Sequence, residues 1–483
     1  MSAGTRDADP ERVALDEPTG QGADAAGRRG PLVVVAVGLS FVLANLDLTV
    51  VNVATATIQR DLSSTVSQLG WVINGYVLTY AALLLLAGDL AARFGARRLY
   101  VVGVLVFTLA SASAGLAPST AALVASRTVQ GVGAALFQPA TLILLAAAFP
   151  DAKVRSRMIG LWAAMGAAAA GLGPVIGGLM VGAGGWRVIF WINLPVGLLT
   201  VLLARRVLPA AVTDQHRPIQ PLGHLLVVAM LGGAAFALMQ GPDEGWGAPV
   251  VLGSIAVAVL AGIGFGARQA RGRQPIYPPR LFTNRAFTLA NVVGTMLNLG
   301  LFGIAFILAL LLQVQRGATA AEAGWQMLPM MLMFVIGNVG FARIAARTGS
   351  RAPMVAGMAV AFVATGCLAV VLDAATPYWL LAVLMCVANL GLGFASPAMT
   401  DTLIGSVRPA DTGTAGAMLN VNRQTGSLVG VAIFSGLLAG STSWYASATR
   451  ALAIAAGVYL LAALAAAAVP RRRAHGATAD AAR

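Results

Sequence analysis

Long apolar segments alternate with short polar segments along almost the whole chain. A helix that spans a lipid bilayer needs about twenty mostly apolar residues, and fourteen segments have roughly that length. The pattern therefore predicts an all-α membrane protein with fourteen transmembrane helices. The predicted helices cover residues 31–55, 70–91, 98–117, 119–148, 154–183, 187–208, 221–241, 248–268, 286–313, 322–346, 353–372, 378–405, 412–440 and 449–469.

A seven-residue motif occurs twice in the chain, each time in a short basic loop between two apolar segments. The two copies are Ala-Ala-Arg-Phe-Gly-Ala-Arg at 91–97 and Ala-Ala-Arg-Thr-Gly-Ser-Arg at 345–351. This repetition indicates two related halves, and transporters built from paired repeats bind their substrates between the repeats. We therefore predict two six-helix bundles, at 31–208 and 286–469, with two inserted transmembrane helices at 221–268.

Basic residues are distributed unevenly between the two ends of the predicted helices. With the N terminus placed in the cytoplasm, 26 of the 32 Lys and Arg residues fall on the cytoplasmic side and four fall outside. This asymmetry follows the positive-inside rule. It predicts a multi-pass protein of the bacterial plasma membrane with cytoplasmic tails at 1–30, which we expect to be disordered, and at 470–483. The net charge of +14 then follows from topology, and we expect no nucleic-acid partner.

The composition excludes a soluble globular domain, since 58% of the residues are hydrophobic and 10% are charged. The single lysine, Lys153, follows an alanine, so the chain has no glycine-lysine phosphate-binding loop. Cys367 and Cys386 form no CxxC pair. No paired carboxylates and no nucleophile–base set stand out. We therefore expect no enzymatic activity, no cofactor and no metal site.

Asp47 is the only acidic residue well inside a predicted helix. A charge at mid-bilayer costs about 3 kcal/mol on insertion scales, so it normally has a partner. Counting from the outer helix ends places Asp47 and Arg127 at the same depth, so each is the natural counter-ion of the other. One interpretation is a static structural salt bridge. The other is proton coupling: burial disfavours a charged carboxyl group and a nearby arginine favours it, so a small change in separation loads or releases a proton.

Other polar side chains inside the predicted helices come from both halves of the chain. Such faces can hold helices together, but we interpret them as the lining of a shared polar cavity that binds a small molecule. Trp162 is either a stacking surface for that molecule or part of the core. The predicted cavity residues are Asn52, Gln130, Trp162, Asn298, Asn389, Asn420, Arg423 and Gln424.

Four segments in order resemble motifs of the fourteen-span drug:proton antiporter branch (EmrB/QacA type) of the major facilitator superfamily. They are Leu-Asp-Leu-Thr-Val-Val-Asn-Val-Ala at 46–54, the segment 123–135 around Arg127, Gly-Leu-Gly-Pro-Val-Ile-Gly-Gly at 171–178, and Trp-Arg-Val-Ile-Phe-Trp-Ile-Asn-Leu-Pro-Val-Gly at 186–197. The resemblance implies a major facilitator fold, with Asp47 as proton carrier and Arg127 as its partner. It also implies that an antiporter motif is formed by Gly173, Pro174, Gly177 and Gly178.

The loop after the second predicted helix resembles the cytoplasmic gate motif of the same family. Ala92 stands where the family has an aspartate that helps to lock the cytoplasmic side. The sequence leaves open whether Asp89, three residues earlier, replaces it. The gate residues implied by the resemblance are Gly88, Asp89, Arg93, Gly95 and Arg97.

The resemblance also implies a function: proton-coupled export of small amphipathic compounds, such as drugs or antibiotics, by alternating access. The expected partners are a small-molecule substrate, protons and the lipid bilayer, with the protein acting as a monomer. A transporter of the same fold dedicated to one metabolite, siderophore or self-made antibiotic is the main alternative. A membrane sensor or scaffold that does not transport is a more remote one.

Overall fold

The structure is a computed structural model. It describes residues 21–149, 151–209, 220–271, 279–408, 411–439 and 443–470. Most of the predicted tails, 1–30 and 470–483, lies outside these residues. The first helix begins at Gln21 rather than at residue 31, so its first turns belong to the polar segment 21–30, which contains Asp24, Arg28 and Arg29.

Fourteen long helices make up almost all of the described chain, which contains no β-strand. Helix α6 is interrupted at Ile192, and a π-helical turn, Leu311–Gln315, extends α9. The helices are α1 (Gln21–Leu62), α2 (Val66–Phe94), α3 (Ala96–Gly115), α4 (Thr120–Ala148), α5 (Ala152–Gly184), α6 (Val188–Val207), α7 (Pro221–Glu244), α8 (Pro249–Arg271), α9 (Arg285–Leu310), α10 (Ala320–Thr348), α11 (Arg351–Val371), α12 (Tyr378–Ile404), α13 (Thr412–Ala439) and α14 (Trp444–Ala467).

Thirteen of these helices are long and apolar enough to cross a membrane. The remaining helix, α13, has 28 residues, a length of about 42 Å at 1.5 Å per residue. Its first half carries the polar run Asn420, Asn422, Arg423 and Gln424, which lowers its hydropathy. The predicted all-α membrane fold is therefore confirmed, and its most polar helix is one that the sequence predicts to line the cavity.

Each copy of the repeated motif forms a tight turn between two helices. Gly95 separates α2 from α3 with φ of 97°, and Gly349 follows α10 with φ of 71°. Only glycine adopts this left-handed backbone region without a steric penalty. The two copies of the motif thus form the same kind of turn at equivalent places in the two halves of the chain.

Helices α1–α6 pack against one another, and α9–α14 form a second packed group. The inserted helices α7 and α8 pack together, and α7 also contacts α2 and α13. Helix α8 is almost entirely exposed and apolar, as expected for a helix that faces lipid. The inserted pair therefore lies over the line where α2 meets α13.

The two groups of helices meet along two seams, α5 with α10 and α2 with α13. On the first seam, a Cβ atom placed on Gly178 would overlap the carbonyl oxygen of Ala320. Likewise, a Cβ atom on Gly324 would overlap the carbonyl oxygen of Pro174. The absence of side chains at these two glycines is therefore what allows the backbones of α5 and α10 to touch.

Candidate functional site

Asp47 of α1 and Arg127 of α4 form a buried ion pair, with Arg127 Nη1 donating to Asp47 Oδ2. Gln130, one turn further along α4, completes the cluster. Its Nε2 donates to Asp47 Oδ1 at 2.9 Å, and its Oε1 accepts from Arg127 Nη1 at 2.7 Å. Both carboxylate oxygens of Asp47 are therefore paired. The structure thus brings together Asp47 and Arg127, which the sequence places at the same depth in the membrane. Their role in proton coupling stays a prediction.

Arg127 is held from several other sides as well. Its Nε donates to the carbonyl oxygen of Val72 on α2 at 3.1 Å. Its guanidinium carbon lies 4.6 Å from the centre of the Tyr76 ring and 5.7 Å from that of Phe190. Cation–π contacts of this kind strengthen when water is excluded, and Arg127 is 1% exposed. Arg127 of α4 is thus held in place by α2 and α6, and its ionic partner Asp47 comes from α1.

Asp47 borders a narrow cavity between α1, α5 and α6. The cavity is too narrow to hold a water molecule. Apart from Asp47 and Asn193, its lining is apolar: Leu46, Val50, Val51, Met180, Ile189 and Ile192. In this conformation the carboxylate is therefore shielded from solvent.

The antiporter-motif glycines lie where α5 passes between α1 and α10. A Cβ atom on Gly173 would overlap the Thr49 side chain, and one on Gly177 would lie 3.0 Å from Cα of Val50. Gly178 faces α10 on the other side of the helix. Gly173 and Gly177 of α5 therefore pack on α1, close to Asp47, whereas Gly178 packs on α10 of the second half.

The other predicted cavity residues of the first half pack within that half. Asn52 donates to the carbonyl oxygen of Leu48 at 3.1 Å, and its Oδ1 is buried without a hydrogen-bond partner. Trp162 stacks on Phe41 with ring centres 4.0 Å apart and is 8% exposed. Of the two interpretations of Trp162, the structure favours core packing, because Phe41 covers one face of its ring in this conformation.

Asn389 lies in a separate cavity lined by helices of the second group. Its Nδ2 donates to Met385 of the same helix, whereas its Oδ1 has no partner. The hydroxyl of Tyr459, in the same lining, is also unpartnered. Met327, Met330, Met331 and Met385 contribute much of the remaining lining. The predicted cavity residues are thus distributed over separate places.

The remaining predicted cavity residues lie on α9 and α13. Asn298 donates to the carbonyl oxygen of Gly294 on its own helix at 2.8 Å. Arg423 donates from Nη2 to Oγ1 of Thr400 on α12 at 3.0 Å. Asn420 and Gln424 are half-buried beside it on α13.

Sequence reasoning did not assign Asn422 to the site. This residue hydrogen-bonds to Asn291 and thereby links α13 to α9. The signal that could have identified Asn422 was its position inside the polar run from Asn420 to Gln424 on an otherwise apolar helix.

The predicted gate residues lie at the ends of α2 and α3. Gly88 faces Pro139 of α4, Arg93 lies over the Phe94 ring at 5.6 Å, and Arg97 donates to the carbonyl oxygen of Arg205. Gly95 forms the turn described above.

Asp89 lies 3.5 Å from Nε2 of His224 on the inserted helix α7. This contact joins α2 to the inserted helix α7, and His224 was not among the predicted gate residues.

The structure describes two side-chain hydrogen bonds between the halves. Gln313 Nε2 donates to the carbonyl oxygen of Val53 at 2.8 Å, and Asn74 Nδ2 donates to that of Leu428 at 3.3 Å. Both bonds lie at the end of the molecule where α1 ends and α2 begins, opposite the two basic repeat loops. The close contact at Gly178 lies at the same end. The halves are therefore joined at one end of the helices.

Replacing Gln313 by leucine should loosen this junction without unfolding either half. A net hydrogen bond contributes about 1 kcal/mol, so we expect Gln313→Leu to shift the equilibrium between conformations about five-fold towards separation of these ends. Spin labels on Arg60→Cys and Gln315→Cys, in a chain without Cys367 and Cys386, would report the distance. Asn338→Leu is the matched control, because Asn338 bonds only within α10. Equal distance distributions for Gln313→Leu and the control would contradict this role.

Comparison with known proteins places this arrangement in a family. A model described as the Major Facilitator Superfamily matches residues 37–431 and 292–483. The methylenomycin A resistance protein of Streptomyces coelicolor is 44% identical, with 92% of this chain and 93% of that protein covered. The tetracenomycin C resistance and export protein of Streptomyces glaucescens is 33% identical, with 88% and 79% covered. The solved POT family transporter PepTSo has the same fold, with a TM-score of 0.67 at 16% identity and 91% and 97% covered.

Proposed function

Because the chain belongs to the major facilitator superfamily, we propose that it exports antibiotics and similar small amphipathic compounds in exchange for protons. Relatives named for antibiotic resistance and export support the drug-exporter part of this proposal. The observation that carries the proton-coupled part is the buried cluster of Asp47, Arg127 and Gln130. We further propose that the protein acts as a monomer in the bacterial plasma membrane, with both termini in the cytoplasm.

With this orientation, the ends joined by Val53–Gln313 and Asn74–Leu428 are the outer ends of the helices. The basic repeat loops, which end in Arg97 and Arg351, then face the cytoplasm. The conformation is thus one in which the outer side is closed, and cargo enters from the cytoplasm or the inner leaflet. Export requires the outer junction to open and the cytoplasmic ends to approach each other.

We propose that α1 transmits the protonation state of Asp47 to the outer junction. Protonation of Asp47 removes its negative charge and weakens its interaction with the buried Arg127. Complete loss of one partner from a buried ion pair costs about 3–5 kcal/mol, which sets the upper limit of this effect. Helix α1 also carries Thr49 and Val50, which pack on α5, and Val53, which accepts the bond from Gln313. A small movement of α1 therefore acts directly on the Val53–Gln313 bond, and through α5 on the seam between α5 and α10.

The inserted helices α7 and α8 support membership of the fourteen-span antiporter branch. They lie at 221–271, between the two six-helix groups, and α7 packs on both α2 and α13. A chain with only the two groups would have twelve spans, so this pair accounts for the difference.

A narrower function is an exporter dedicated to a single antibiotic. The observation that favours it is the 44% identity to a methylenomycin A resistance protein over nearly the whole chain.

The main experiment is a panel of growth inhibitors applied to an efflux-deficient bacterial host. We expect expression of the chain to raise the inhibitory concentration of methylenomycin A several-fold. Protection against methylenomycin A alone would support the dedicated exporter, and protection against several unrelated compounds would support the broader one. Unchanged sensitivity to every compound, at confirmed expression in the membrane, would contradict export of antibiotics.

A further inference from the structure

Three charged side chains lie more than six residues from either end of a long helix, when α1 is counted from Pro31. They are Asp47, Arg127 and Arg423. Asp47 and Arg127 neutralise each other in their ion pair. Arg423 is therefore the remaining charge, and the deep parts of the helices carry a net charge of +1.

The described part of the chain places no carboxylate within 4 Å of the Arg423 guanidinium. Its one side-chain hydrogen bond goes to the neutral hydroxyl of Thr400. Asp401, the next residue on α12, is turned to the Ser350 hydroxyl instead. An arginine has five N–H donors and stays protonated, so most of its hydrogen-bonding capacity is available to a ligand.

Arg423 also lies where the two halves of the molecule face each other. Tyr80 of α2 is close enough to interact electrostatically with the guanidinium. Thr400 approaches it from α12 of the second half. The arginine is half-buried, and the half-buried amides of Asn420 and Gln424 lie near it on α13. A ligand bound here would touch helices of both halves, as the cargo of an alternating-access transporter must.

We propose that Arg423 binds a carboxylate, or a comparable anionic group, on the exported compound. This inference rests on the proposed export function and names the class of its cargo. A planar carboxylate matches the two-pronged geometry of a guanidinium and would neutralise the uncompensated charge. A cationic compound would meet repulsion from Arg423 and would find Asp47 already occupied by Arg127. The inside-negative membrane potential also favours export of an anion, by about 2.3 kcal/mol per charge per 100 mV.

The binding test compares matched compounds on the purified full-length chain in lipid nanodiscs. The probes are 4-phenylbutyrate and 1-naphthaleneacetate, each with its methyl ester and the corresponding primary amine. A ligand that binds the folded state raises the unfolding temperature, and does so more the further its concentration exceeds its Kd. We expect at least one acid to stabilise the wild-type chain, and its ester and amine to bind at least ten-fold more weakly.

Variants of Arg423 then assign the effect to this side chain. Arg423→Gln should weaken binding of the acid at least ten-fold and leave the ester unchanged, whereas Arg423→Lys should keep part of the preference for the acid. Arg450→Gln, at an exposed arginine of α14, should behave as wild type. The proposal is overturned if neither acid binds, if the amine binds as well as the acid, or if Arg423→Gln keeps the preference.

Resistance measurements separate this proposal from the proposed function. If the wild-type chain protects the host from no antibiotic but still prefers acids in nanodiscs, the export function fails and the anion site stands. If the chain protects the host and binds acids and amines equally, export stands and the anion site fails. Loss of protection by Arg423→Gln against uncharged and acidic antibiotics alike would show that Arg423 supports the structure rather than the cargo, and would overturn the proposal.

Discussion

Asp47→Asn should abolish antibiotic resistance and substrate-driven proton movement while the protein still reaches the membrane. Asparagine has nearly the size of a protonated aspartic acid, and its amide oxygen can still accept from Arg127. It cannot bind and release a proton, so the ion pair with Arg127 can no longer form and break. The measurements are the inhibitory concentration of the antibiotic in an efflux-deficient host and the pH change inside proteoliposomes when cargo is added.

The matched control is Asp61→Asn, on the same helix and also paired with an arginine. Asp61 contacts Arg187 and Trp186, but the Asp61 and Arg187 side chains are 45% and 40% exposed. Exposed ion pairs contribute about 0–1 kcal/mol, so this variant should keep nearly full resistance. Export by Asp47→Asn at the wild-type rate, with equal expression, would show that Asp47 does not carry the proton.

Gly178→Ala should open the outer junction and strongly reduce transport. The added methyl group would overlap the carbonyl oxygen of Ala320, a backbone atom that cannot turn away. Helices α5 and α10 must therefore separate at this end, which disfavours the outer-closed conformation. We expect the label distance between Arg60→Cys and Gln315→Cys to increase, and the resistance conferred by the chain to fall several-fold.

Gly182→Ala provides the comparison, because it makes the same change one turn further along α5. A Cβ atom at Gly182 would lie 3.6 Å from the Cβ of Ala321, an ordinary van der Waals distance. This variant should keep the wild-type label distance and resistance. If both alanine variants behave alike, the close approach at Gly178 does not control closure.

The sequence was sufficient to predict the Asp47–Arg127 pair. Asp47 is the only acidic residue deep inside a predicted helix, and counting residues from the helix ends placed Arg127 at the same depth. The same counting predicted the number of long helices, since length and hydropathy determine which segments can span a bilayer. These features depend on the order of residues along single helices.

Features that depend on how helices rotate against each other were not predictable in this way. The stacking of Phe41 on Trp162 and the contact of His224 with Asp89 join residues far apart in the chain. Hydropathy gives the depth of a residue but leaves its angle around the helix axis open. The separate position of the cavity at Asn389 was not predictable for the same reason, since its lining comes from four helices.

The central claim is that Asp47 gains and loses a proton during transport. Infrared difference spectroscopy on the purified chain in lipid measures this directly, because a protonated carboxyl group has a C=O stretching band that a carboxylate lacks. Addition of cargo should change the intensity of such a band in the wild-type chain and leave no corresponding change in Asp47→Asn. A band that changes equally in the wild type and in Asp47→Asn, or no change in a wild-type chain that transports, would contradict the account.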